Sequence, residues 1–158
     1  MKRLAIAAVA VLAVAAAGCG GGGGEPLSKA EYTQQLNEIG TSLDSSSQAL
    51  GDAFQAEDAG KAADQVSAMQ TQIRKLAYQL DDITPPEDVA DAHQDLIDGL
   101  RGMADDFDEF HDAVESKSVA KMTAFAQSFT SSESSKKINE AIAEMKKKGY
   151  DFEPNSGG

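Results

Sequence analysis

The chain contains one cysteine, Cys19. A single thiol excludes a disulfide framework, and it excludes a metal site built from several cysteines. No segment alternates apolar and polar residues with the period of a half-buried strand, so nothing in the pattern supports a β architecture. No glycine-rich loop follows a strand, and the many serines have no histidine partner in a recognisable nucleophile–base frame. Cations are scarce: 14 Lys and Arg stand against 26 Asp and Glu, a formal charge of −12. That balance repels nucleic acid and anionic headgroups, and it favours cations and basic partners. Together these absences lead to the expectation of a protein that is not an enzyme and needs no cofactor.

What is present begins with an address. Met1-Lys2-Arg3 is positively charged, and residues 4–17 are uninterruptedly apolar. Such a run is shorter than the about 20 residues that cross a bilayer. It suits the hydrophobic core of an export signal. The run ends in Ala16-Ala17-Gly18-Cys19, which resembles the bacterial lipobox. The resemblance implies a diacylglycerol on the Cys19 thiol and cleavage on its N-terminal side. Residues 1–18 are then a lipoprotein signal peptide, and residues 19–26, with glycine at 20–24, a tether. A glycine-rich leash of this length reaches about 15 Å. The expected location is the outer face of the cell membrane, lipid-anchored, with the domain held close to the bilayer. Cleavage removes Lys2 and Arg3 from the 14 basic residues, and the 12 left against 26 acidic ones give −14.

Residues 27–152 suffice for one domain with one core. Ala, Gln, Glu, Lys and Leu dominate, and the apolar positions recur at helical spacing. Ser28 and Glu31 form a capping box flanked by Leu27 and Tyr32 as a hydrophobic staple. A first seam follows through Tyr32, Leu36, Ile39, Leu43, Leu50 and Phe54. Ser46, Ser47, Gly40 and Gly51 interrupt or weaken it, so this helix is expected to be the least regular. Asp58-Ala59-Gly60 breaks the chain. A second seam, Ala62, Val66, Met69, Ile73, Leu76, Leu80 and Ile83, keeps four-and-three spacing throughout. At Thr84-Pro85-Pro86-Glu87 the pattern predicts a turn in which Thr84 caps, Pro85 takes the first helical position and Glu87 completes a second box. A third seam runs Val89, His93, Leu96, Leu100, Met103, Phe107, Phe110 and Val114, with a tight turn near Ser116–Ser118.

The fourth segment has Val119, Met122, Phe125, Ala126 and Phe129, then Ile138, Ile142 and Met145 out of phase with them. A kink or break is expected near 130–137, with Thr130 and Glu133 restarting the helix. Lys146-Lys147-Lys148 before Gly149 reads as a helix end. Residues 153–158 are expected to be a disordered tail. The fold expected is all-α, an up-down-up-down four-helix bundle, and monomeric, because the short connections disfavour a long dimeric coiled coil.

Candidate chemistry is thin. His93 lies on the third seam, and a histidine there is either a metal ligand or pH-responsive group, or a half-exposed residue hydrogen-bonded locally. His111 is about 27 Å away along the same helix, too far to share an ion. Asp108, three residues before it, and Glu115, four after, share its face and form a possible cation site. A di-metal bundle needs a second copy of such a motif, and there is none. The carboxylates between Glu87 and Glu115, opposed only by Arg101, lack the loop and turn glycine of a calcium site and read as a solvated face. Met69, Met103, Met122 and Met145 sit on the seams and read as core.

Leu27-Ser28-Lys29-Ala30-Glu31-Tyr32 and Pro85-Pro86-x-x-Val89-x-x-Ala92-His93-x-x-Leu96 resemble small helical lipoproteins of high-GC Gram-positive bacteria. The resemblance implies location and fold and supplies no activity. Similar proteins often carry further cysteines, one near the position of Gly40, and this chain has none. The function expected is a membrane-anchored binding or scaffold module for a cell-envelope protein or cell-wall partner. The alternative is a divalent-cation-binding envelope protein that uses His93 or the Asp108, His111, Glu115 group.

Overall fold

The computed structural model describes residues 24–55 and 59–151. The residues expected to form the signal peptide, Cys19, most of the expected tether and the expected tail at 153–158 lie outside the described residues. Within them the chain is all-α: α1 (Lys29–Gln55), α2 (Ala59–Asp81), a 3-10 turn (Glu87–Val89), α3 (Ala90–Glu115), α4 (Val119–Phe129) and α5 (Glu133–Lys147). No described helix is long and apolar enough to cross a membrane. The helices run up-down-up-down, with α4 and α5 together forming the fourth arm.

Helix α1 starts at its capping box. The Ser28 backbone N–H and hydroxyl both donate to Glu31 Oε2, at 3.0 and 2.6 Å. The Leu27 N–H donates to the Thr84 carbonyl at 3.0 Å, which ties the start of α1 to the end of α2. Helix α1 is unbroken for 27 residues. Its serines do not interrupt it, because Ser42, Ser45, Ser46 and Ser47 turn their hydroxyls back onto the carbonyls four residues earlier. That arrangement is compatible with a helix at a small cost. Ala59 and Gly60, expected to belong to a break, are helical and open α2.

The turn at Thr84 differs from the sequence reading. Pro86 is extended (φ −55°, ψ 140°), and neither the 3-10 turn nor α3 has a side-chain cap. Pro85 precedes a proline, and the steric clash that disfavours helical geometry there keeps it from being a first helical residue. The α-helix therefore begins only at Ala90.

Two helix ends are closed by left-handed residues. At the end of α3, Ser118 N–H bonds to Ala113 O and Lys117 N–H to Val114 O, with Lys117 at φ 53°. At the end of α5, Tyr150 N–H bonds to Met145 O and Gly149 N–H to Lys146 O, with Gly149 at φ 78°. Both are Schellman motifs. The second reverses the chain so that Tyr150, 1% exposed, returns to the core.

The break in the fourth arm spans Thr130–Ser132. The restart uses Ser132, not Thr130: its hydroxyl accepts from the Ser135 N–H at 3.2 Å. Ser135 in turn donates to the Phe129 carbonyl at 2.7 Å. Each hydroxyl thus satisfies a helix-terminal group that would otherwise lack a partner. Below the break, α5 packs tightly on α3, because Gly99 and Gly102 present backbone to it. A Cβ on Gly99 would lie 2.7 Å from Ile138 Cγ1 and 3.1 Å from Ile138 N, and one on Gly102 3.1 Å from Ser134 Oγ.

The core is continuous through Tyr32, Val66, Ile73, Leu80, Ile97, Leu100 and Met145. Burying each large apolar side chain contributes about 1.5–3 kcal/mol. Helix α4 is the exception. None of its residues is fully buried, and Val119 is 70% exposed.

Candidate functional site

Consider first the end of the bundle where α1 begins. His93 is 5% exposed, not half-exposed, because the α3 seam turns it inward with Val89, Leu96 and Leu100. Its Nδ1 lies 2.8 Å from the Tyr32 hydroxyl on α1, and its Nε2 lies 3.1 Å from the Leu80 carbonyl in the last turn of α2. A carbonyl only accepts, so the network assigns the ring proton to Nε2, and the tyrosine hydroxyl donates to Nδ1. The Tyr32 ring meets Tyr150 edge-on, centroids 5.8 Å apart. The Tyr150 hydroxyl donates to Asp88 at 2.7 Å, and the Lys29 ammonium sits 4.7 Å over its ring.

Burial depresses the His93 pKa, opposed by the Leu80 carbonyl and the charge of Asp81. Burial also pushes Tyr32 above the ordinary tyrosine range. Tyr150 is pushed up to about 12, by burial first and then by its bond to Asp88 and that residue's charge. The result is a neutral, fully paired clasp joining α1, α2 and α3. Both His93 nitrogens are used by protein atoms, which leaves no lone pair for an ion.

The second expected group is rearranged. His111, Asp112 and Glu115 offer ligand atoms within 4.8 Å of one another, and His111 Nδ1 lies 3.8 Å from Asp112 Oδ1. Asp108 is not among them. It faces α2, where it accepts from Gln70 Nε2 and lies 3.9 Å from Arg74. The trio therefore comes from one exposed turn of one helix, with Asp112 standing where Asp108 was expected.

At the other end of the bundle lies a feature that the sequence reading divided between core and solvent. Five of the chain's six phenylalanines form one connected cluster. Phe54 from α1 meets Phe110 at 5.8 Å, Phe110 stacks on Phe125 at 4.6 Å and 18°, and Phe107 meets Phe129 at 5.5 Å. Only Phe107 is buried, and Phe54 is 38% exposed. Between α3 and α4 the cluster opens into a groove of about 230 Å³, walled by Asp105, Asp106 and Glu109 on one side and by Phe125 and Phe129 on the other.

The carboxylates of this wall are differently committed. Asp105 pairs with Arg74 at 3.2 Å across from α2. Asp106 accepts from the Ser134 hydroxyl at 2.6 Å. Glu109 is exposed and has no ion-pair or hydrogen-bond partner among the described residues. The sequence signal for the groove was available in principle. Helix α4 is only 11 residues long, too short to cover two long helices, and its aromatic seam faces an acidic stretch of α3.

The chain matches no protein-family model, and no curated protein or solved structure is significantly similar to it.

Proposed function

We propose that the protein is a lipid-anchored, extracytoplasmic binding or scaffold module, not an enzyme, whose partner is a protein or cell-wall component of the envelope. The observation that carries this reading is the half-exposed aromatic cluster beside the carboxylates of Asp105, Asp106 and Glu109. A folded domain hides rings where it can, and aromatic side chains left at a surface are enriched where proteins meet. The position of the cluster also favours the reading. Helix α1 has 27 residues and is about 40 Å long. A tether attached at its first turn puts the aromatic end a helix length away from the anchor point.

The test has two arms. In a bacterial host that processes lipoproteins, the full chain partitions with membranes and yields an N-terminal peptide carrying acyl groups on Cys19, and Cys19→Ala releases it. A photo-crosslinking phenylalanine analogue placed singly at Phe54 and Phe125 then gives a common adduct in the native cell, weakened by salt, and Tyr78, 65% exposed near the end of α2, probes a second surface. A soluble wild-type protein, or the absence of an adduct at every position, rejects the respective half of the proposal.

The cation-binding reading keeps one supporting observation, the ligand atoms of His111, Asp112 and Glu115 within 4.8 Å of one another. A divalent ion retained stoichiometrically and lost on His111→Ala would favour it. Open solvent and a single supporting helix weigh against it, since tight sites draw on fixed ligands from several elements.

A further inference from the structure

The groove between α3 and α4 has walls of opposite character, and few occupants satisfy both. A neutral apolar molecule filling it would strip water from Asp105, Asp106 and Glu109 with nothing in return, an unfavourable exchange for charges. An anion, whether phosphate, headgroup or nucleic acid, meets three carboxylates. A hydrated metal ion has no apolar part to lay along the rings of Phe125 and Phe129. A lysine or arginine flanked by an apolar residue fits: its charge meets the carboxylates, its stem lies along the rings, and the ring faces attract cations. The volume of about 230 Å³ lies below the range of about 300–1,000 Å³ usual for small-molecule pockets, and it suits one or two side chains.

We propose that this groove docks a cationic segment of a partner polypeptide in which lysine or arginine alternates with aromatic or aliphatic residues. Glu109, exposed and without a partner among the described residues, is the primary contact for the incoming charge. Asp105 contributes by exchanging its exposed pairing with Arg74 for the ligand. Phe125, stacked on Phe110 by one face, provides the apolar floor. The formal charge of −12 steers such a segment towards the domain and makes association salt-dependent. The inference rests on the reading of the domain as a binding module and deepens it.

The experiment uses the purified full chain and a fluorescein-labelled peptide of alternating lysine and phenylalanine, with an alternating glutamate and phenylalanine peptide as its counterpart. The lysine peptide is expected to bind saturably and the glutamate peptide not at all. Glu109→Gln with Asp105→Asn, and separately Phe125→Ala, each weaken binding at least tenfold. Asp44→Asn on α1, away from the groove, leaves binding unchanged. Circular dichroism of every variant checks the fold, and Glu109→Gln alone, an isosteric change at an exposed residue, serves if Phe125→Ala unfolds. Absence of saturable binding, or binding indifferent to the groove variants, overturns the proposal. So does a self-association constant that changes with Phe125→Ala in place of peptide binding, which would make the occupant a second copy. Failure here with a cellular adduct still formed at Tyr78 leaves the binding-module reading standing with a different surface. Failure of both removes the two together.

Discussion

Replacing Tyr32 by phenylalanine deletes one oxygen from a buried contact between α1 and α3. The ring stays against Tyr150, so packing is nearly conserved, but His93 Nδ1 loses the donor that sits 2.8 Å away. The site is sealed by Leu80, Met145 and Tyr150, all essentially fully buried. Leaving a buried acceptor without a partner costs about 1–3 kcal/mol. For a domain of this size that lowers the melting temperature by roughly 3–12 °C, taking about 3–4 °C per kcal/mol. The decisive assay is a double-mutant cycle by urea denaturation with Tyr32→Phe, His93→Leu and the pair. Once histidine is gone the hydroxyl has only the Met145 sulfur, 3.9 Å away, so removing it costs little more. A coupling of at least about 1 kcal/mol is expected for groups in direct contact. Additivity within about 0.3 kcal/mol would refute the clasp, as would an unchanged transition in Tyr32→Phe.

Other consequences follow from the same packing. Because burial lowers the His93 pKa in the folded protein, the unfolded chain binds the extra proton first as pH falls. Its contribution is therefore constant above an unfolded pKa near 6.5 and is lost progressively below it, by no more than about 1.4 kcal/mol per pH unit. Urea titrations at several values between pH 7.5 and 5 should show this loss in wild type and not in His93→Leu; equal slopes would contradict it. Two of the helical glycines should respond oppositely to alanine. Gly51, whose added Cβ meets nothing within 4 Å, should gain up to about 1 kcal/mol. Gly99, whose Cβ meets the α5 backbone at 3.1 Å, should lose about 1–3 kcal/mol by overpacking; matching thermal shifts in the two variants would be incompatible with the α3–α5 contact. Lys117 occupies the left-handed region, where an L-residue is strained by about 1–2 kcal/mol, so Lys117→Gly should raise the unfolding midpoint, and a lowered one would argue against the Schellman turn.

The repeat of apolar residues, the Ser28 and Glu31 box, and the lysines before Gly149 determined by themselves that this chain makes helices and where several of them begin and end. Those features act within a few residues, through hydrogen bonds and side-chain periodicity, so the linear order contains the relevant neighbours. The same local logic failed where two local rules competed. Pro85 favours a helix start in isolation, but a following proline denies it that geometry. Tertiary structure alone decided which seam residues became which. His93 and Tyr150 are polar side chains that ordinarily lie at least partly outside. They are buried because partners 61 and 62 residues away in sequence, Tyr32 and Asp88, complete their hydrogen bonds. Asp108 left its expected trio because Gln70 and Arg74 on another helix offered donors. The groove has the same origin. Its phenylalanines follow the seams and its carboxylates follow the solvent face, as their spacing requires, and only the short reach of α4 over α3 brings the two together at one exposed edge.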